Sequence, residues 1–295
     1  MNYLISLLGY GDNLITGSIL ENKLTDPKIL RIVGSGVTQR VWSLLKKPIN
    51  VDTILFDEVP AIYTLRERGL LAALRDASVF RSWANKTLTD NDTVIFESAS
   101  SYRNQWLLGK NICRRAETHR VTNAYTDRAL VIGNIVGSHV WIDAEPPCNV
   151  ANEILINPNA RSKDRTISPQ VVGQIITSAK SININVSLID IHGNLAAYSA
   201  QVNHYILNPT LDEAVIALRR VDRYIGPDSF FMHLAYYYRI PQLALFWKRD
   251  VYFQPPGLMK QGGIFYFDDI SNVVNIKSRL LGFMLGNTDH KSTSY

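Results

Sequence analysis

The chain is predicted to fold as an α/β protein in two halves, each built on a parallel sheet wrapped by helices on both faces. Three observations carry that prediction. Short apolar runs, among them Tyr3–Leu8, Ile29–Val33, Thr53–Phe56, Thr93–Phe96 and Ala129–Ile132, alternate with amphipathic stretches such as Ile62–Leu74 and Asn104–Ile112. Strands alternating with helices imply parallel strands joined by crossovers. The segment Trp141–Asn149, with Pro146 and Pro147, breaks the rhythm and reads as a linker, after which the alternation restarts. Finally, 295 residues exceed what one core usually occupies, so two domains of roughly 130 to 150 residues are expected.

The first half opens with strand Tyr3–Leu8, the turn Gly9–Asp12 and a helix over Asn13–Glu21. The start lacks a basic leading region and is broken by Gly9, Gly11 and Asp12, so it reads as a buried first strand, and no other run reaches membrane-spanning length. In the second half, strand Glu153–Ile156 ends in the turn Asn157–Ala160. Helix Ser168–Ala179, strand Asn185–Ile191 and helix Leu211–Val221 follow. An apolar approach then reaches Gly226-Pro227, and Asp228-Ser229 cap a helix that lasts until Ile240-Pro241 opens another apolar run. The expected boundaries are 1–148, 149–272 and a closing segment 273–295, in which Val273–Leu285 packs back across the junction. Two α/β halves facing each other across a cleft would bind ligands at the carboxyl ends of their strands, where the turns after Leu8, Ile156 and Ile225 lie.

Composition narrows the function. A hydrophobic fraction of 46% with 19% charged residues is that of a globular protein. The net charge of +5 comes without a dense Lys/Arg block, so nucleic acid is not implied; an anionic substrate or an anionic membrane surface fits as well. Cys113 and Cys148 stand far apart, which argues against a disulfide framework or a zinc site and for a reducing compartment. His119, His139, His192, His204 and His290 form no spaced cluster. Asp90-Asn91-Asp92 has the look of a metal-binding Asp-x-Asp but sits among turn formers, and Asp268-Asp269 has no neighbouring ligand, so no metal is assigned.

Three places hold residues suited to chemistry. Asp12, just after the first strand, reads either as a helix cap or as a carboxylate able to take a proton from an attacking hydroxyl. Arg161, Lys163 and Arg165, between a strand-end turn and a helix, suit phosphate oxygens but also read as a solvated basic loop. Asp228 and Ser229 stand at a capped helix start, where unpaired N–H groups favour an anion. There Asp228 suits a sugar hydroxyl and Ser229 a phosphate oxygen, while the alternative is plain capping with His233, Leu234 and Ala235 in the core.

Together these segments resemble the heptosyltransferase family of glycosyltransferases. Gly11, Asp12 and Thr16 match its Gly-Asp then Thr after the first strand. Asn157-Pro158-Asn159-Ala160 followed by Arg165 is similar to its His/Asn-Pro-Gly-Ala turn and later basic residue. Asp228-Ser229-Phe230-Phe231-Met232-His233-Leu234-Ala235 looks like its Asp-Thr/Ser-Gly-x-x-His-x-Ala signature, flanked by Val221-Asp222 and Ile240-Pro241. Phe230 and Asn159 stand where the family has Gly, Thr166 where it has an aromatic residue and Ser18 where it usually has Pro. Asn159 is expected to tolerate a left-handed backbone in that role.

The resemblance implies a GT-B fold of two Rossmann-like domains and an inverting, metal-independent transfer of a heptose or hexose-like sugar. Asp12 would be the base, and Arg165, Lys163, Asp228, Ser229 and His233 would bind a nucleotide diphosphate sugar, which is a co-substrate, with no cofactor. Arg103, in Ser98–Asn104, looks like the family's basic residue facing the acceptor. Arg66, Arg68, Arg114, Arg115 and Arg120 add charge suited to an anionic glycolipid or glycan, though each alone also reads as surface charge. The implied setting is lipopolysaccharide core or related glycan synthesis, in the cytoplasm with peripheral contact to the inner face of an anionic membrane. Two alternatives stay open: a nucleotide-sugar epimerase of the same fold, and a non-catalytic binding or scaffold protein.

Overall fold

The computed structural model describes residues 1–23, 30–58, 65–96, 105–106, 109, 116–117, 123–136, 152–161, 165–246, 254–255, 257–258, 263–266 and 280–284. The chain divides into two compact units, Met1–Ile142 and Asp143–Tyr295.

The first unit runs β1 (Asn2–Ser6), α1 (Tyr10–Lys23), β2 (Leu30–Ser35), α2 (Gly36–Ser43), β3 (Thr53–Phe56), α3 (Leu65–Thr87), β4 (Thr93–Phe96), β5 (Ala116–Glu117) and α4 (Ala124–Val136). Its strands are all parallel in the order β3-β2-β1-β4-β5. The direction of winding therefore reverses between β1 and β4, and the carboxyl ends of those two strands form the switch point where such sheets bind ligands. Ile5, Val33, Val94 and Phe96 of the sheet pack against Ala77, Phe80 and Ala84 of α3. Elsewhere in the unit α1 meets α2 and α4. Trp42 is wholly buried there and its indole N–H donates to the Asn13 carbonyl at 2.8 Å. A Cβ on Gly17 would lie 2.6 Å from that indole, so the glycine is what lets the two helices close. Gly69 leaves helical geometry (φ 79°, ψ 171°) and kinks α3.

The second unit runs β6 (Glu153–Ile156), α5 (Pro169–Lys180), β7 (Asn185–Asp190), a 3₁₀ segment (Ala196–Gln201), β8 (His204–Leu207), α6 (Leu211–Arg220), β9 (Arg223–Pro227), α7 (Phe230–Tyr238), β10 (Gln242–Phe246) and β11 (Ile264–Tyr266). Again every pairing is parallel, in the order β11-β10-β9-β6-β7-β8. The switch point falls between β6 and β9. Ser168 caps α5 by accepting from the Val171 N–H, Pro169 fills its first turn, and Val172, Ile175, Ile176 and Ala179 seal one face of the sheet. Leu280 and Met284, on a helical turn, join this core.

Two expectations are corrected. The apolar run Ala129–Ile132 is part of helix α4, in which Ala124, Arg128, Val131 and Ile132 are buried at helical spacing; four apolar residues alone do not distinguish strand from buried helix. The first strand stops at Ser6, and α1 begins at Tyr10, ahead of the expected Asn13. As expected, Asp90–Asp92 belongs to a turn. Asp92 accepts from the Thr89 amide and hydroxyl at 2.7 and 2.9 Å and meets the Met1 amino group at 2.9 Å. The Thr89 amide first, then that amino group, holds its carboxyl down at about 2.

Asp190 closes β7 as a buried hub. Its carboxylate accepts from the backbone of His192 (3.2 Å) and Leu195 (2.7 Å) and from the Tyr205 hydroxyl (2.6 Å). Burial pulls the carboxyl upward, but these bonds and that of Gly193 outweigh it and hold its pKa below 3.8. Burial, then the bond to Asp190, pushes the Tyr205 phenol up to about 12. A carboxyl depressed in the folded state adds stability that is present above its unfolded value and is lost as pH falls through the folded one. Asp190→Asn is expected to cost about 2–3 kcal/mol in urea unfolding at neutral pH. The gap to the native protein should narrow as pH drops below the unfolded value of 3.8; a gap constant with pH would contradict this role.

Candidate active site

At the switch point of the first sheet the chain is tied down just after β1. Ser6 Oγ donates to Asn13 Oδ1 at 2.6 Å and Asn13 Nδ2 donates to the Leu8 carbonyl at 2.8 Å, with Asn13 wholly buried. This stitch starts α1 early and places Asp12 inside its first turn, so Asp12 is not the helix cap. Instead Arg128 of α4 reaches it twice: Nη1 donates to the Asp12 carbonyl at 2.9 Å and Nη2 to Oδ1 at 2.7 Å. The Arg128 side chain is 5% exposed and that of Asp12 31%. Among the described residues, Asp12 Oδ2 has no hydrogen-bond partner. Thr16, one turn on, is buried.

The second sheet's switch point is built by the loops after β6 and β9. The Asn157 N–H donates to the Ile225 carbonyl at 3.1 Å, and Asn157 Oδ1 accepts from both the backbone and the side chain of Asn159. Asn159 does not take a positive φ, so the tolerance of asparagine for left-handed backbone is not called on here. The residue fits as a hydrogen-bonding side chain, its amide also reaching the Ile189 carbonyl at 3.4 Å. Ile167 N–H to the Pro158 carbonyl (2.9 Å) and Ala160 N–H to Thr166 Oγ1 (3.4 Å) close the loop. That closure brings Arg165 Nη1 to 2.7 Å from Asp228 Oδ2. Ser229 occupies the N-cap of α7, yet its side chain makes no capping bond. Phe230 begins the helix and sets its ring edge-to-face on Phe231, centroids 5.4 Å apart. His233 is buried beside Met232, Leu234 and Ala235.

No protein-family model matches the sequence, and no curated protein is significantly similar to it. Solved structures do match. The ADP-heptose lipopolysaccharide heptosyltransferase II of E. coli superposes with a TM-score of 0.62 at 13% identity, covering 97% of this chain and 99% of that one. The E. coli heptosyltransferase WaaC, solved with ADP-2-deoxy-2-fluoro heptose, gives 0.61 at 10% identity over 90% and 92%. The fold is the GT-B fold of the heptosyltransferases. A putative UDP-N-acetylglucosamine 2-epimerase from Listeria monocytogenes is more distant, with a TM-score of 0.51 at 10% identity over 96% and 90%.

In this GT-B chain, three side-chain polar atoms of the segments around the β6/β9 switch point are buried. Asn157 Nδ2, Tyr224 Oη and Ser229 Oγ are buried without a well-formed hydrogen bond among the described residues. The Tyr224 phenol and the Ser229 hydroxyl are neighbours, and a Cβ on Gly226 would lie 2.1 Å from Tyr224 Oη and 2.9 Å from the Asn157 carbonyl, so only glycine leaves room for that phenol. Burial pushes the Tyr224 phenol well up, opposed by the nearby Ser229 hydroxyl. Native proteins leave few buried polar groups unpaired, and such groups cluster where a water or ligand completes them.

The structure thus brings Arg165, Asp228 and Ser229 together and puts Asp12 at the other sheet's switch point. Arg103, Arg120, Arg114, Arg115 and Lys163 lie outside the described residues, as does the side chain of Arg66 on α3. Arg68 lies 3.5 Å from the buried Asp76, so its charge serves α3. Asp222, part of the family pattern, accepts from the Glu153 N–H at 3.2 Å at the opposite, amino end of the strands. Arg128 and Tyr224 are not among the expected residues. Tyr224 could have been found from its place two residues before Gly226 on a strand, whose same-face neighbours it shares; nothing in the sequence marks Arg128.

Proposed function

We propose that this chain is a glycosyltransferase that moves a heptose or hexose-like sugar from a nucleotide diphosphate donor to an anionic glycolipid or glycan, with inversion and without a metal. The observation that carries the reading is the unsatisfied polar cluster at the second switch point, set beside the Arg165–Asp228 pair and the start of α7. A diphosphate there would receive the α7 N–H groups and the Arg165 guanidinium. Asp228 would hold a donor hydroxyl, with Ser229 and the buried Asn157 and Tyr224 completing their hydrogen bonds on the ligand. Lys163 and His233 belong to the same donor proposal.

Asp12 is assigned the acceptor. Its carboxylate takes the proton of the acceptor hydroxyl as that oxygen bonds to the anomeric carbon, and the bond from that carbon to the diphosphate oxygen breaks with its electron pair leaving on the diphosphate. The leaving group gains charge in the transition state, so Arg165 and the helix start act chiefly on rate. Arg103, Arg66 and Arg120 are proposed to face an anionic acceptor. Among the described residues no helix is long and apolar enough to cross a membrane, and the proposed site of action is the inner face of the cytoplasmic membrane.

A panel of nucleotide sugars, ADP-heptose first, is expected to raise the melting temperature for one donor class. At a hundredfold excess over Kd the gain is about 2.7 kcal/mol. Stabilisation by none of them, with calorimetry showing no binding, would favour a scaffold protein. Conversion of a donor to its epimer without acceptor would favour the epimerase.

A further inference from the structure

We infer that Arg128 is a positioning residue that sets the reactive orientation of Asp12. This rests on the reading of Asp12 as the base. One guanidinium donates from Nη1 to the backbone carbonyl and from Nη2 to Oδ1 of the same residue, at 2.9 and 2.7 Å. Bonds from one planar fork to the main chain and side chain of a single residue fix the carboxylate's rotamer and its plane together. A lysine ammonium has no such fork.

The exposure pattern points the same way. Arg128 is buried behind the pair while the Asp12 side chain reaches solvent, so the cation occupies Oδ1 and leaves Oδ2 for the incoming hydroxyl. Helix α1 does not depend on this pair for its placement. Asn13 ties it to Ser6 and Leu8, and the Trp42 indole holds the Asn13 carbonyl from α2. Removing Arg128 therefore leaves the helix docked and releases the Asp12 side chain to other rotamers. A base displaced by about 1 Å loses on the order of a hundredfold in rate.

The test is steady-state and single-turnover kinetics on the full chain carrying Arg128→Gln or Arg128→Lys, with melting temperatures alongside. The expected result is a fall in kcat of roughly 10- to 100-fold for Arg128→Gln, an unchanged KM for the donor and partial recovery in Arg128→Lys. Adding Arg128→Gln to Asp12→Asn should cost nothing further, because residues acting through one group are not additive. Wild-type kcat in either variant overturns the inference, as does a loss confined to KM or one that adds fully to that of Asp12→Asn. If Arg128→Gln fails to fold, Arg128→Lys decides on the same kcat and KM criteria. Wild-type turnover by Asp12→Asn alone overturns the assignment of the base itself, a result separable from failure of Arg128.

Discussion

Asp12→Ala is expected to abolish sugar transfer while donor binding persists. A positioned general base contributes about 10²–10⁴ in rate, so turnover should drop by at least the lower figure. Donor affinity should hold because Arg165, Asp228 and Ser229, the proposed donor residues, belong to the other sheet's switch point. The alanine variant also leaves the buried Arg128 without its carboxylate, and removing one partner of a buried pair is destabilising. Asp12→Asn is the cleaner comparison: its Oδ1 still accepts from Nη2 while the side chain no longer takes a proton. Both variants should lose transfer, and only the alanine should melt measurably earlier. Near-normal turnover in Asp12→Asn would sink the assignment.

The sequence was most legible where a short apolar run sits between turn formers. Thr53–Phe56, Thr93–Phe96 and Glu153–Ile156 are strands over the very residues expected; the last two are central and buried, as a short apolar run suggests, while Thr53–Phe56 is an edge strand. The same rule misread Ala129–Ile132, a stretch of helix α4 in which Val131 and Ile132 are buried while Leu130 faces solvent. The two edge strands of the second sheet, β8 (His204–Leu207), with both its ends exposed, and β11 (Ile264–Tyr266), only three residues long, went unread.

The site divides along similar lines. Asp12, Arg165, Asp228 and Ser229 stand at strand ends, where turn residues announce themselves. The pairing of Asp12 with Arg128 spans 116 residues and is decided by how α1 packs on α4. The Arg165–Asp228 pair spans 63 residues and is decided by adjacency of β6 and β9. Local pattern carries neither, because both depend on how elements distant in sequence pack together.

Arg165→Ala should separate rate from stability more sharply than any other donor-side change. Arg165 is 37% exposed and Asp228 17%, and ion pairs of that exposure are worth about 0–1 kcal/mol once solvent screening is counted. The melting temperature should therefore barely move. The rate should move a great deal: a preorganised donor aimed at developing charge is worth about 10²–10³ in kcat, and in the proposed transfer the charge from the breaking bond to the anomeric carbon would collect on the diphosphate. Arg165→Lys keeps the positive charge without the fork, so it should retain part of the rate. Rising salt should weaken donor binding in the native protein more than in Arg165→Ala, because the screened interaction is already gone from the variant. If Arg165 served only to hold Asp228, Arg165→Ala and Asp228→Asn would lose similar stability and leave kcat alike and near normal. A selective loss of kcat in the arginine variant is the outcome that a diphosphate at the β6/β9 switch point requires.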